Sequence, residues 1–264
     1  MKKVIHNAVA AALALCFAAS ASAAVCLGNC GTMGADGVVT ASPMGGDYQY
    51  VSTYGGLEGV GSLGVAGNEA NGSLYVSDSF SASAGDALHF YFNYVTTDGT
   101  KFYTDYAWGA LRPADGSADI LLFTARTTPT GNTVPGFGLP DLADGVILNP
   151  ASAPIIPGAP TWSALGDTSG WCTGPDEGEG CGYTGWIDVD YLFADAGVFS
   201  LVFGVTNIHD RYNDSGLAFA DLTINGDPIG GGGSTVPEPA TLTLLLASLG
   251  LVGALRRRNK TPSA

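Results

Sequence analysis

Between residues 24 and 229 the apolar side chains recur at every second position, with no convincing spacing of three to four as in an amphipathic helix. Such alternation buries one face of a segment only if the segment is extended, because successive side chains then point to opposite sides. The clearest case is 87–95, where Leu88, Phe90, Phe92 and Tyr94 share one face and His89 falls on the other. Segment 183–193 sets Ile187, Val189, Tyr191 and Phe193 opposite Asp188 and Asp190, and 198–205 aligns Phe199, Leu201, Phe203 and Val205. Shorter candidates are 74–80, 101–108 and 119–126. The last, 217–224, changes apolar parity midway and is expected to carry a bulge. Asp98 and Gly99, the dipeptide preferred in tight turns, predict a hairpin between 87–95 and 101–108. Many short strands separated by Gly, Pro and Asp predict an all-β fold, a jelly-roll-like β-sandwich. Residues 127–182, with Pro129, Pro135, Pro140, Pro150, Pro154, Pro157 and Pro160, read as an irregular surface insertion.

The charge balance excludes one large class of function. The chain has 10 Lys and Arg against 24 Asp and Glu, which is incompatible with a basic nucleic-acid surface. Hydrophobic residues make up 46% and aromatics 10%, enough to bury a core and too many for a disordered acidic tail.

Both ends read as addresses. Lys2 and Lys3 precede an apolar run at 8–19, and Ala21 and Ala23 fit the small-x-small pattern of signal peptidase, so residues 1–23 are expected to be removed and Ala24 to begin the exported chain. At the other end, 230–235 is a Gly-rich linker. It is followed by Val236, Pro237, Glu238 and Pro239, an uncharged 16-residue run at 240–255, and a basic cluster of Arg256, Arg257, Arg258 and Lys260. The apolar run reads as a transmembrane helix, with the basic tail on the cytoplasmic side and the body outside. The exported segment 24–236 then holds 23 acidic residues against 4 basic ones, a formal charge of −19.

The order of Pro237, Glu238 and Pro239, apolar helix and arginine cluster resembles the PEP-CTERM sorting signal of Gram-negative bacteria. The resemblance covers 236–264 only. It implies an exosortase as partner, a transient inner-membrane anchor, cleavage near the motif, and a final place at the cell surface or in an exopolysaccharide-containing matrix. Bodies of many kinds carry such a signal, so it assigns an address and no molecular activity.

Several constellations in the body bear on chemistry. Cys26, Cys30, Cys172 and Cys181 remain after signal removal. An even number in an exported chain predicts disulfides, and among three pairings the local ones, Cys26–Cys30 and Cys172–Cys181, are expected. Gly59, Gly61 and Gly64 match a dinucleotide-binding spacing, but neither the strand before nor the helix after that the motif needs is present. No G-x-S-x-G elbow occurs, and His89 and His209 are read as surface residues, so the body is read as non-enzymatic. Asp188 and Asp190, two apart on a strand, have a spacing usable in glycoside hydrolysis but also that of any solvent face. Asp210, Asn213 and Asp214 are a candidate calcium site, with Asp176, Glu177 and Glu179 a second acidic run. Trp162, Trp171 and Trp186, with Tyr183, are candidate sugar-stacking residues, which gives a carbohydrate-binding module as the alternative reading and a glycan-active enzyme as the third.

Overall fold

A computed structural model of the protein describes residues 23–229 except 66, 100–101, 167–171 and 173–179. Residues 1–22 of the expected signal peptide, Ala21 among them, the linker, the sorting segment, Trp171, Asp176, Glu177 and Glu179 lie outside the described residues. In chain order the strands are β1 (Val25–Leu27), β2 (Asn29–Met33), β3 (Tyr48–Ser52), β4 (Leu57–Glu58), β5 (Glu69–Val76), β6 (Phe80–Ala82), β7 (Ala87–Thr96), β8 (Tyr106–Pro113), β9 (Ile120–Arg126), β10 (Val146–Asn149), β11 (Ile156–Pro157), β12 (Gly182–Tyr183), β13 (Ile187–Leu192), β14 (Gly197–Ile208), β15 (Ser215–Ile224) and β16 (Asp227–Pro228). One short 3-10 turn, Ser163–Leu165, interrupts them.

They form two antiparallel sheets. The first runs β1-β5-β14-β8-β9, with β4 beside β5 and β6 beside β14. The second runs β10-β13-β7-β15-β3-β2, with β12 on β7, β11 on β12 and β16 on β15. The rows foreseen from alternation meet between the sheets: Leu88, Phe90, Phe92 and Tyr94 from β7, Ile187 and Val189 from β13, and Leu201, Phe203 and Val205 from β14 are all fully buried. Two stacked ring pairs cross the interface, Phe92 on Phe123 at 3.8 Å and Phe203 on Phe219 at 3.9 Å. Gly109 makes the first stack possible, since a Cβ there would strike the Phe123 ring.

Each sheet also has part of its outer face covered. Val39, Trp162 and Leu165 pack over Tyr48, Val95, Ala218 and Ala220 of the second sheet. Leu63 and Leu139 pack over Tyr106, Trp108, Ala110, Val202 and Ile208 of the first. Strands buried on both faces lose visible alternation, which is why 106–111 reads as a continuous apolar run. The Gly59–Gly64 stretch is part of this cover and not a phosphate loop. The Gly61 carbonyl accepts the Trp108 indole N–H at 2.7 Å, and Leu63 donates its N–H to the Tyr106 hydroxyl at 2.8 Å. Gly61 has φ +76° and lies too close to the Val205 carbonyl for any Cβ.

The expected hairpin at Asp98 and Gly99 does not form. β7 belongs to the second sheet and β8 to the first, so the two strands do not pair. Both strands carry an apolar inward face, and facing each other across the core buries both rows, an effect larger than a local turn preference. The bulge in β15 is present, as a register shift between Ala220 and Thr223 with Asp221 at φ +58°. The two local disulfides are present. Cys26–Cys30 links β1 in the first sheet to β2 in the second, and Cys172–Cys181 sits beside the Thr97 carbonyl at the loop end.

Candidate functional site

The loops that follow β3, β7, β9 and β14 gather at one end of the sandwich, and beneath them lies a polar layer rather than an apolar one. Asp105, just before β8, is 1% exposed. Its Oδ1 accepts the Ile208 N–H at 2.8 Å, and its Oδ2 lies 2.7 Å from the Ser215 hydroxyl. Ser215 Oγ also reaches Thr96 Oγ1 at 2.8 Å, and the Tyr94 hydroxyl lies 2.8 Å from Thr127 Oγ1. Asp214 is buried as well, accepting the Thr53 hydroxyl at 2.8 Å, while Thr97 donates both N–H and O–H to the Asp214 carbonyl. These bonds tie β3, β7, β8, β14 and β15 to their loops.

Burial pushes the Asp105 carboxyl well above the usual carboxylate range, and the charges of Asp98 and Asp210 add to it; Ser215 and Ile208 oppose it. Burial raises Asp214 too, against the hydrogen bonds of Thr53 and Asn207. The folded chain therefore keeps a proton on Asp105 at a pH where the unfolded chain has released it. Stability from this group is intact below the unfolded carboxylate pKa and is lost as pH rises toward the folded value. Asparagine imitates the protonated acid, so Asp105→Asn is expected to fold and to flatten the fall of Tm as pH rises above the ordinary carboxylate value of about 4 in calorimetry. A variant curve as steep as that of the unaltered protein would show that Asp105 is not the group responsible.

The loop end exposes aromatic side chains above this layer. Phe102 is 68% and Tyr212 75% exposed, and Tyr54 and Tyr103 are also exposed, Tyr103 standing edge-on to His209 at 5.7 Å. Alternation cannot reveal these residues, because they lie in loops without a period.

The other sequence candidates are placed as follows. Trp162 is buried at 3% exposure, with its indole N–H donated to the Tyr48 hydroxyl at 2.9 Å, so it offers no face to a sugar. Trp186 is half-buried beside it, its ring edge on Tyr48 and its N–H on Thr40 Oγ1. Both tryptophans cover the second sheet, since an aromatic over an exposed sheet face gains more by burial than by waiting for a ligand. Asp210, Asn213 and Asp214 do not share a solvent-facing concavity. Asp210 caps its own turn through the Tyr212 N–H, Asn213 takes a left-handed φ of +59°, and Asp214 is withdrawn into the interior. Asp188 and Asp190 stand on the same face of β13, and His89 of β7 lies beside them, in register with Asp190.

At the far end of the sandwich a shallow cleft of about 480 Å³ is lined by Pro113, Asp115, Tyr191, Phe193 and Phe199. Its rings are committed to one another, with Phe193 and Phe199 at 4.9 Å. Among the described residues no helix is long and apolar enough to cross a membrane.

Comparison with known proteins places the C-terminal end. Residues 235–258 match the family described as the PEP-CTERM protein-sorting motif. No curated protein and no solved structure matches the chain. The match takes in the Pro-Glu-Pro segment, the apolar run and the arginines, and it establishes export, membrane-anchored sorting and surface localisation. The chain is thus an acidic β-sandwich that carries the PEP-CTERM sorting motif of exported, exosortase-processed proteins.

Proposed function

We propose that the exported body is a non-catalytic component of the cell surface or extracellular matrix that holds exopolysaccharide at its aromatic loop end. The observation that carries this reading is the exposure of Tyr54, Phe102, Tyr103 and Tyr212 on loops anchored by a buried polar layer. Flat rings held at the surface offer sugar C–H faces a stacking platform, and loops on a rigid sandwich are where binding groups concentrate. Calcium enters this reading as a bridge between the body and the polymer. A body with 23 acidic and 4 basic residues repels an acidic polymer, and divalent cations relieve that repulsion by bridging carboxylates. Against a glycan-active enzyme, Asp188 and Asp190 lie two residues apart on one strand and not on the facing walls of a cleft.

Signal peptidase is the partner proposed at the other end. Cleavage after Ala23 would turn the Ala24 nitrogen, which donates to Asp78 Oδ1 at 2.6 Å, into an ammonium facing that carboxylate. The new terminus would gain an ion pair in place of a hydrogen bond from an uncharged amide.

The exported protein, passed over the host's own exopolysaccharide, is expected to be retained in calcium and retained less in a chelator. The double substitution Phe102→Ala and Tyr212→Ala is expected to elute early. Absence of retention under both conditions would overturn the proposal, as would equal retention of the double variant.

A further inference from the structure

Away from the loop end, the outer face of the second sheet holds one group of side chains with the donor types of a metal site. His89 on β7 pairs in register with Asp190 on β13, and Asp188 stands two residues back on the same face. His89 Nδ1 lies 3.1 Å from Oδ1 of each aspartate, and the three donor atoms lie within 4.8 Å of one another. For a cation bound at about 2.1 Å by nitrogen and oxygen, adjacent donors of an octahedral shell stand about 3.0 Å apart. The nitrogen-to-oxygen spacing found here matches an edge of such a shell.

The distribution of protons points the same way. Nδ1 carries at most one proton, and its hydrogen bond is to Asp190 Oδ1. Asp188 Oδ1 faces the same nitrogen, is shut off from solvent, and has no hydrogen-bond partner. A shielded carboxylate oxygen without a donor is unfavourable, and a cation between the three groups would satisfy all of them at once. Among the described residues, the ion pairs of both aspartates are with His89 and with no Lys or Arg. The Tyr91 ring stands edge-on to the imidazole at 4.8 Å and fixes its tilt.

We propose that His89, Asp188 and Asp190 bind a divalent first-row transition cation. Imidazole is a poor ligand for calcium or magnesium and a good one for zinc, manganese or cobalt, and two carboxylates supply the compensating charge. Asp190 is 53% exposed, so the remaining coordination positions open to solvent, where water or a donor from another molecule can enter. The site is separate from the aromatic loops and stands whether or not those loops bind polysaccharide.

The test uses the exported protein, stripped with a chelator and titrated with zinc by calorimetry and with cobalt(II) by visible absorption. One zinc per chain and a d–d spectrum with cobalt are expected, with calcium failing to compete at equal concentration. His89→Ala and the more exposed Asp190→Asn are each expected to lower zinc affinity tenfold or more and to remove the cobalt spectrum, with near-ultraviolet circular dichroism confirming the fold. No zinc binding, unchanged affinity in a folded Asp190→Asn, or calcium bound as tightly as zinc would each overturn the assignment.

Discussion

Replacing Pro237, Glu238 and Pro239 together by alanine is expected to leave the exported protein uncut at its C-terminal end. Neither proline can donate a backbone hydrogen bond, and each biases the residue before it toward an extended backbone. In the sequence the three residues separate the Gly-rich linker from the uncharged apolar run, and three alanines would remove that break. The unaltered protein, recovered from the surface fraction, is expected to lack Arg256, Arg257, Arg258 and Lys260 by mass measurement. The triple variant is expected to keep them and to remain in the membrane fraction. The effect is close to all-or-none because the substitution removes the feature an exosortase substrate presents. Recovery of the variant from the surface at the shortened mass would show that the motif is not what the processing step reads.

Phe203→Ala is expected to be the most damaging single core substitution. The ring stacks on Phe219 at 3.9 Å, stands edge-on to Phe90 at 5.5 Å, tilts against Phe123 at 6.3 Å, and is fully buried. Truncation removes the transfer free energy of the ring and leaves a cavity that two paired sheets cannot close, about 3–5 kcal/mol. Domains are stable by roughly 5–15 kcal/mol in total. At about 2–4 °C per kcal/mol for a body of this size, Tm should fall by roughly 6–20 °C. Tyr212→Ala, on the exposed loop end, should move stability by no more than about 0.5 kcal/mol. Thermal unfolding of the two variants under oxidising conditions measures both. A loss below about 1 kcal/mol at Phe203 would mean the stacks do not hold the sheets together.

Much of the sandwich was legible because its strongest strands bury one face. In β7 and β14 the large side chains fall on alternate positions, so the face that points inward was readable without knowing what it meets. The bulge in β15 showed as a change of parity, and the small loops closed by Cys26–Cys30 and Cys172–Cys181 made local pairing the economical choice. Legibility failed where the deciding contact was far away in sequence. Asp98 and Gly99 look like a hairpin turn to their neighbours, yet β13 and β15 are the partners of β7, from about a hundred residues downstream. Trp162 looks like an exposed aromatic in a proline-rich insertion until Tyr48 receives its N–H across 114 residues.

The candidate sites divide along the same line. The sorting motif is contiguous, needs no fold to be recognised, and was complete in the sequence. Asp188 and Asp190 were visible as one face of a strand, but His89 joins them only through the register between β7 and β13. Asp105 looked like one of many acids, and its burial follows from the end of the sandwich closing over it. By itself the sequence determined that the chain is exported, that it is built of strands, and which side of each strong strand turns inward, since a period of two and a contiguous motif are local properties. The tertiary structure alone decided which strands are neighbours and which polar side chains meet, because strand pairing is made by backbone hydrogen bonds that every residue offers alike and is selected only when whole apolar faces close on one another.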